Sequence, residues 1–350
     1  MYAVVKDRRA PGAAIKNVSK PEIKSDEVLV EVKAASICGT DVHIWDWNWW
    51  AQERIKPPII IGHEFCGEVV EVGENVKTIQ EGDMVSAETH IVDGTCYQCR
   101  TGRMHVCRNT KVLGVDRDGA FTEYVAIPEM NAWKNDPNLD PMIASIQEPL
   151  GNAVHSAMPE SCVDDIGGAY AAVMGCGPIG LMSIAVLKAL GARKVFATEI
   201  SPYRMKLGRE MGADMVLNPM EEDVVAAIME ATEGRGVDIV LEMSGAPSAV
   251  RQAFEILTPG GRISLLGILD RPIEIDLNNL VVFKAARVYG ITGRRMFETW
   301  YQVKGLLSKP DFREKIAKII THRIPMRDIA EGIELLHEKQ AAKVGLTPEW

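Results

Sequence analysis

The chain has 350 residues, enough for two domains with cores of their own, and its 47% hydrophobic and 25% charged content is ordinary for a globular protein. The formal net charge of −9 gives no support to a nucleic-acid or anionic-membrane partner. Charged residues interrupt every apolar run short of membrane-spanning length, and MYAVVKDRR lacks the apolar core of a signal peptide, so a cytoplasmic location is expected.

Alternating runs at Tyr2–Lys6 and Glu27–Ala34 predict strands on either side of a Pro/Lys/Asp-rich turn. The second run leads directly into Ile37–His43, ICGTDVH. Trp45, Trp47, Trp49 and Trp50 follow, as one face of a segment covering a core or as an aromatic wall near a substrate. Gly62–Gly73, GHEFCGEVVEVG, predicts a turn and a strand, and Met84–Glu88 another strand. Residues 93–109 form a cysteine-rich loop, and residues 111–127 return to turns and strands. The seven cysteines are an odd number and three crowd into Cys96–Cys107, which is metal spacing more than a disulfide framework. This first part therefore predicts a β-rich unit of many short strands.

Asp140–Ala153, with Glu148–Pro149 inside it, predicts the approach to a helix. Cys66 and Cys162 are expected to be packing or surface residues, and the Asp164–Asp165 pair to lie on a domain-linking turn. From near Gly168 the pattern becomes strand, helix, strand. Ala169–Gly180 reads AYAAVMGCGPIG, an apolar run entering Gly175, Gly177 and Gly180 in the G-x-G-x-x-G pattern. An apolar helix at Leu181–Leu190, a strand at Lys194–Thr198 and Glu199 follow. In that context Gly175 permits a tight turn, Gly177 a close approach to a pyrophosphate and Gly180 close helix–sheet packing. The helix N-terminus faces the phosphate charge. A carboxylate at Glu199 accepts hydrogen bonds from ribose hydroxyls and repels a 2′-phosphate, so NAD is expected over NADP. Cys176, between two of the glycines, is a candidate for thiolate character.

Further along, Ser201 and Pro202 start a helix, and strands are predicted at Met215–Leu217, Val237–Leu241, Arg262–Leu266 and Val288–Ile291. Helices at Glu221–Thr232, Pro247–Leu257 and Asn278–Ala285 separate them, as a parallel sheet with covered faces requires. From about Thr292 come three helical stretches, FETWYQVKGLLS, DFREKIAKII and Met326–Lys339, and a last strand at Lys343–Leu346.

Cys38, His63, Glu64 and Glu148 are of the types that a catalytic zinc accepts while a position stays open for water or substrate. A lone cysteine is more often core packing and a lone histidine a satisfied turn residue. Their force comes from the surrounding patterns CGTDVH and GHE. An alcohol that gives up hydride must also lose its hydroxyl proton. Thr40 can hydrogen-bond that oxygen, and His43 can exchange the proton with solvent after passage through a cofactor hydroxyl.

With these motifs in order, the chain resembles the zinc-dependent medium-chain alcohol dehydrogenases along nearly its whole length. GHEFCGEVVEVG, ICGTDVH, EPLGNAVH and GCGPIG carry the resemblance. ETHIV, NTKVLGVDRDGAF, EMSGAP and GITGRRMFETWY narrow it to the threonine dehydrogenase branch. The resemblance implies an α/β fold: a Rossmann doubly wound parallel sheet at 151–291, inserted in a β-rich GroES-like catalytic domain at 1–150 and 292–350. It implies catalytic zinc among Cys38, His63 and Glu64, with Glu148 as a ligand or exchangeable partner, and a relay through Thr40 and His43. His90 is expected near the substrate pocket. NAD is expected at Gly175, Gly177, Pro178, Ile179, Gly180, Glu199, Arg204, Gly267, Ile291 and Thr292. The implied reaction takes L-threonine and NAD to 2-amino-3-oxobutanoate and NADH, in a homotetramer whose product passes to a coenzyme A-dependent lyase. Arg294 is a candidate partner for the substrate carboxylate.

The family's second, structural zinc loop uses four cysteines, whereas this chain offers Asp93, Cys96, Cys99 and Cys107. Zinc on one carboxylate and three thiolates is expected to be held less firmly. A dehydrogenase of another vicinal polyol, such as sorbitol or 2,3-butanediol, shares every zinc and NAD residue. A non-enzymatic scaffold is disfavoured by the presence of Cys38, His63 and the cofactor glycines.

Overall fold

The computed structural model describes residues 1–160 and 165–350, so Cys162 and Asp164 lie outside the described residues. The chain divides into two units, Met1–Glu148 with Ile320–Trp350, and Pro149–Ile319. Among the described residues no helix is long and apolar enough to cross a membrane.

The first unit is β-rich. Its larger sheet runs in the order Ala132–Lys134, Met84–Ala87, Glu64–Val72, Glu27–Ser36, Lys343–Thr347, Ile320–Pro325, with Tyr124–Pro128 also paired to Glu27–Ser36. Glu27–Ser36 is apolar along most of its length because it is buried on both faces; Val28, Val30 and Val32 join Phe65, Val69, Val85 and Val344 in one core. A smaller antiparallel sheet joins Ala14–Asn17, Tyr2–Lys6 and Ile59–Ile60. The final strand pairs antiparallel with Glu27–Ser36 and parallel with Ile320–Pro325. This last pairing is absent from the sequence expectation, which carries a helix through Ile320. The helix ends at Ile319, and residues 320–325 are extended because a strand from the far end of the chain supplies their hydrogen bonds.

The second unit is a parallel six-stranded sheet in the order Met215–Leu217, Lys194–Thr198, Tyr170–Met174, Val237–Glu242, Leu257–Leu265, Arg287–Gly290. Numbered along the unit, that order is 3-2-1-4-5-6, the doubly wound arrangement, whose crevice opens at the carboxyl ends where the order reverses. Helices Pro178–Ala189, Pro202–Met211, Val224–Ala231 and Pro247–Glu255 connect the strands, and Asn278–Val282 is a single π-helical turn, shorter than the helix expected there.

Helices Glu298–Leu307 and Pro310–Ile319 also belong to this unit. The segment 292–319, expected with the C-terminal part of the catalytic domain, therefore groups with the dinucleotide unit instead. Pro310–Ile319 packs on Pro178–Ala189 and Pro202–Met211, burying Phe312, Ile316 and Ile319, and Lys315 Nζ reaches the Met211 carbonyl at 3.4 Å.

Asp165 is tied to two strands of this sheet, through Arg262 and Arg287. Arg262, 2% exposed, donates from Nε to Asp165 Oδ2 at 2.6 Å, and from Nη2 to Asp165 Oδ1 at 3.2 Å and the Ala157 carbonyl at 2.6 Å. Arg262→Met removes the buried cation, takes its donor from the Ala157 carbonyl and leaves Asp165 only the more distant Arg287, 3.7 Å away. It should lower stability by about 3 kcal/mol, read as a shift of the urea midpoint at fixed protein concentration.

Candidate active site and metal centres

Strand Glu27–Ser36 delivers the chain to Cys38, the N-cap of helix Gly39–Asp46. The Cys38 N–H donates to Asp41 Oδ2 at 2.8 Å, which anchors the helix start and turns Asp41 inward. Gly62 precedes His63 with φ +93, and a Cβ there would meet the Phe121 ring at 2.2 Å, so only glycine brings His63 to this place. Cys38 Sγ, a ring nitrogen of His63 and a Glu64 carboxylate oxygen lie within 4.8 Å of one another. Asp41 Oδ1 and His63 Nδ1 stand 3.6 Å apart, both buried and neither hydrogen-bonded. Burial opposes a charged His63, but Asp41 and Cys38 outweigh it and hold its proton affinity well above the ordinary value. The cluster thus demands positive charge, and a thiolate, an imidazole and carboxylates suit zinc.

The two candidate carboxylates are placed differently. Glu64 is fully buried, and both its oxygens accept from Lys343 Nζ, at 2.8 and 2.7 Å, while Ser36 Oγ donates to Oε2. Lys343, 2% exposed, also donates to the Ile37 carbonyl at 3.1 Å. Burial works against its ammonium, yet Glu64 and Cys38, with a smaller part from Glu148, raise its proton affinity. Glu148 is buried near the start of helix Gln147–Ala157, within 3.4 Å of Thr89 Oγ1, and stands outside the Cys38–His63–Glu64 trio. Lys343, Asp41 and Ser36 are not among the site residues read from the sequence. The one available signal was a lysine opening an otherwise apolar final strand.

Thr40 Oγ1 lies 3.8 Å from Cys38 Sγ, and His43 follows one turn later on the same helix face, exposed to solvent. Trp45, Trp47 and Trp50 pack against the unit's core, whereas Trp49 is 60% exposed, so most of the aromatic segment is a cover. His90, half-buried on the short strand His90–Ile91, donates its backbone N–H to Glu88 Oε1 at 3.0 Å and lies outside the trio.

A second cluster unites Asp93, Cys96, Cys99 and Cys107. Cys96 Sγ is 3.5 Å from Cys99 Sγ and 3.8 Å from Cys107 Sγ. Thiolates bound to one zinc at about 2.3 Å stand about 3.8 Å apart in a tetrahedron, so the loop fits the ion. Asp93 Oδ1 accepts the backbone N–H groups of Thr95 and Cys96, at 2.8 and 3.0 Å, and Oδ2 accepts from Asn109 at 2.5 Å. These bonds hold its carboxyl below the usual range. Backbone donors lower the Cys96 thiol, whereas desolvation and the adjoining sulfurs push Cys99 up to about 12.

In the second unit Gly175 has φ +101, and a Cβ on Gly180 would strike the Gly175 carbonyl at 1.9 Å. Around Gly177 no atom would meet an added Cβ within 4 Å, and helix Pro178–Ala189 starts there without a side-chain cap. That open cradle of free N–H groups, including those of Ile179 and Gly180 behind Pro178, fits a pyrophosphate. Glu199, at the end of the second strand, accepts from the backbone of Cys176, Ile200 and Ser201 at 3.1, 2.8 and 3.0 Å. Burial lowers the proton affinity of Arg204, and Glu199 nearby opposes that effect. Gly267 donates to the Glu242 carbonyl at 3.1 Å, and Ile291 to that of Leu265 at 2.9 Å, which puts Gly267, Ile291 and Thr292 at the carboxyl ends of the last strands.

Two expectations are corrected here. Cys176 is fully buried, and burial and Glu199 push its thiol above the ordinary range, opposite to the direction expected. Arg294 is 1% exposed, packed on Gly151 with Nη1 3.4 Å from Asn152 Oδ1, a buried group rather than one offered to a carboxylate ligand. Cys66 is buried as expected, its thiol pushed up to about 12 by desolvation.

A doubly wound sheet with a phosphate cradle, and a separate unit carrying a Cys/His/carboxylate cluster, define a zinc-dependent, nicotinamide-linked dehydrogenase. Residues 24–137 match the alcohol dehydrogenase GroES-like domain and residues 178–309 the zinc-binding dehydrogenase family. The chain belongs to the zinc-binding medium-chain alcohol dehydrogenase superfamily. It is 54% identical over 348 residues to L-threonine 3-dehydrogenase of Caldanaerobacter subterraneus subsp. tengcongensis, covering 99% of both chains. It is 49% identical over 345 residues to L-threonine 3-dehydrogenase of Pyrococcus furiosus, covering 98% of this chain and 97% of the other. Among solved structures it resembles 2R,3R-butanediol dehydrogenase from Bacillus subtilis, with a TM-score of 0.88, 32% identity and 99% of each chain covered.

Lys343→Met should strand the Glu64 carboxylate and lower stability by about 3–5 kcal/mol in denaturant titrations, and adding Glu64→Gln should recover part of that loss. Asp93→Ala should lose one zinc per chain by atomic absorption. Asp93→Cys should slow zinc release to a chelator by about 10-fold or more.

Proposed function

We propose that this chain is an L-threonine 3-dehydrogenase, taking L-threonine and NAD to 2-amino-3-oxobutanoate and NADH. The observation that carries the substrate is identity of 54% to a relative of that name along 99% of the chain. The clustered Cys38, His63 and Glu64 carry the reaction type.

Cys38 and His63 hold the catalytic zinc, with a carboxylate, Glu64 or Glu148, completing the set. Asp93, Cys96, Cys99 and Cys107 hold a second, structural ion. When bound, zinc withdraws electron density from an alcohol oxygen and NAD accepts hydride. The chain's own residues do the rest. Lys343 neutralises Glu64 and so fixes the charge behind the cluster. Thr40 Oγ1, half-buried, accepts the hydrogen bond of the substrate hydroxyl and hands its own proton on as it receives that one, and His43 exchanges the relayed proton with solvent at the exposed end. Glu148 and His90 are the groups assigned to the ammonium side of the substrate. In the second unit the N–H groups at Gly177, Ile179 and Gly180 bind the pyrophosphate. Glu199 and Arg204 bind the adenosine ribose, and the Glu199 charge selects NAD over NADP. Gly267, Ile291 and Thr292 flank the cofactor further along the strand ends.

The enzyme works as a homotetramer in the cytoplasm. Val288 on the edge strand of the parallel sheet and Leu277, Val282 and Phe283 in and beside the turn before it are exposed, which favours self-association, and no disulfide joins the six described cysteines, which suits a reducing compartment. The product, a β-keto acid prone to lose carbon dioxide, is consumed by a coenzyme A-dependent lyase.

Likeness to a butanediol dehydrogenase at 32% identity makes a vicinal diol the second reading. NADH formation by zinc-loaded protein with L-threonine, D-threonine, L-serine, 2,3-butanediol, sorbitol and ethanol separates the two. Selectivity for L-threonine with NAD over NADP is expected, and activity confined to a polyol overturns the threonine assignment. Thr40→Val and His43→Gln should each lower kcat by about 100-fold or more.

A further inference from the structure

Helix Trp49–Arg54 begins at Asn48, whose Oδ1 accepts the Ala51 N–H at 3.0 Å. This bond fixes the orientation of the amide, because turned over it would set two donors against each other. The NH2 group therefore points the other way, where Nδ2 lies 3.0 Å from His43 Nδ1. The turn between the two helices is itself tied down. Trp47 is left-handed with φ 56, its N–H reaches the Ile44 carbonyl at 3.3 Å, and the Asn48 N–H reaches the His43 carbonyl at 3.3 Å. An amide N–H only donates, so the ring nitrogen facing it must present a lone pair. Neutral His43 then carries its proton on Nε2.

We propose that Asn48 is a positioning residue that fixes the tautomer of His43 and thereby the direction in which protons cross the ring. The inference about direction rests on His43 being the solvent end of the relay. The tautomer stands apart from it. A histidine that passes a proton takes it on the nitrogen bearing the lone pair and releases one from the other. Here the accepting atom is Nδ1, and the Asn48 contact must open before it can accept. Nε2 is the releasing atom. After one transfer the ring is neutral again but holds its proton on Nδ1, facing a donor. Asn48 disfavours that state, and the exposed ring returns to its starting form by taking a proton from water on Nε2 and giving up the one on Nδ1 to water. A carboxylate at position 48 would still accept from Ala51, but it could only accept from the ring as well. It would reverse the tautomer and place the lone pair on Nε2.

The test is a two-bond 15N–1H correlation spectrum of zinc-loaded protein with labelled histidine rings, recorded without substrate at a pH where the ring is neutral. His43→Gln assigns the ring among the seven histidines. In the unsubstituted protein Nδ1 should resonate as an unprotonated nitrogen and Nε2 as a protonated one. In Asn48→Asp the two shifts should exchange places. Asn48→Ser keeps a cap for the Ala51 N–H but no partner for the ring, and should give shifts averaged between the tautomers. Helix content and thermal midpoint of both variants check that the cap is retained. A protonated Nδ1 in the unsubstituted protein, which needs no variant to detect, overturns the proposal, and so does an unchanged pattern in a folded Asn48→Asp. Threonine turnover is measured separately, so a different substrate would leave the tautomer result standing.

Discussion

The first unit is built around one buried ion pair. Lys343 and Glu64 neutralise each other where neither meets water, with Ser36 and the Ile37 carbonyl taking up the remaining hydrogen-bonding capacity. Burying two charges costs several kcal/mol per ion before their attraction and hydrogen bonds repay it, so such a pair is poor stabilisation for its size. Its value is positional. It sets a carboxylate next to Cys38 and His63 without adding net charge, and it pins three separate strands at one point. Ser36 and Glu64 face each other across one strand pair, and Gly345 faces Ser36 across the next.

The second unit solves a different problem with backbone alone. At its strand ends and at one helix start it presents backbone N–H donors, and side chains such as Glu199 and Glu242 hold that backbone in place. Glu199 spends its carboxylate on the N–H groups of Cys176, Ile200 and Ser201. Glu242, fully buried, does the same for Ser244 and Gly245, and burial raises its proton affinity. The structural loop of the first unit follows the same economy, since Asp93 braces the turn through Thr95 and Cys96 while standing where a fourth sulfur ligand would be.

Much of this was legible in the sequence because the signals are local. The strand, glycine turn, helix, strand and acid of residues 169–199 each rest on neighbours within a few positions, and the parallel sheet forms there as expected. The patterns CGTDVH and GHE marked Cys38 and His63 for the same reason. What stayed hidden is non-local. Ile320 looks like the last residue of an amphipathic helix, and nothing marks residues 321–325 as a strand, until Lys343–Thr347 pairs with them. Lys343 looks like an edge charge until it is found 2.8 Å from a glutamate far away in the chain. Arg294 drew notice as a cation, but only burial shows that it is packed away. Asn48 sits in a tryptophan-rich stretch where nothing in the spacing announces a contact with His43.

The long stretch of chain between Glu64 and Lys343 carries a consequence for synthesis. The ribosome makes Cys38, His63 and Glu64 early, and their strands can pair as soon as they emerge. The cation that makes Glu64 tolerable in the interior arrives with strand Lys343–Thr347, after the whole second unit, Pro149–Ile319, has been translated. Until then the nascent site holds an uncompensated carboxylate beside a thiol and an imidazole, and it stays open to water. Translation of strand Lys343–Thr347 is therefore the event that supplies the partner of Glu64, and a chain that stops short of that strand has the whole second unit but leaves the Cys38–His63–Glu64 cluster without its cation.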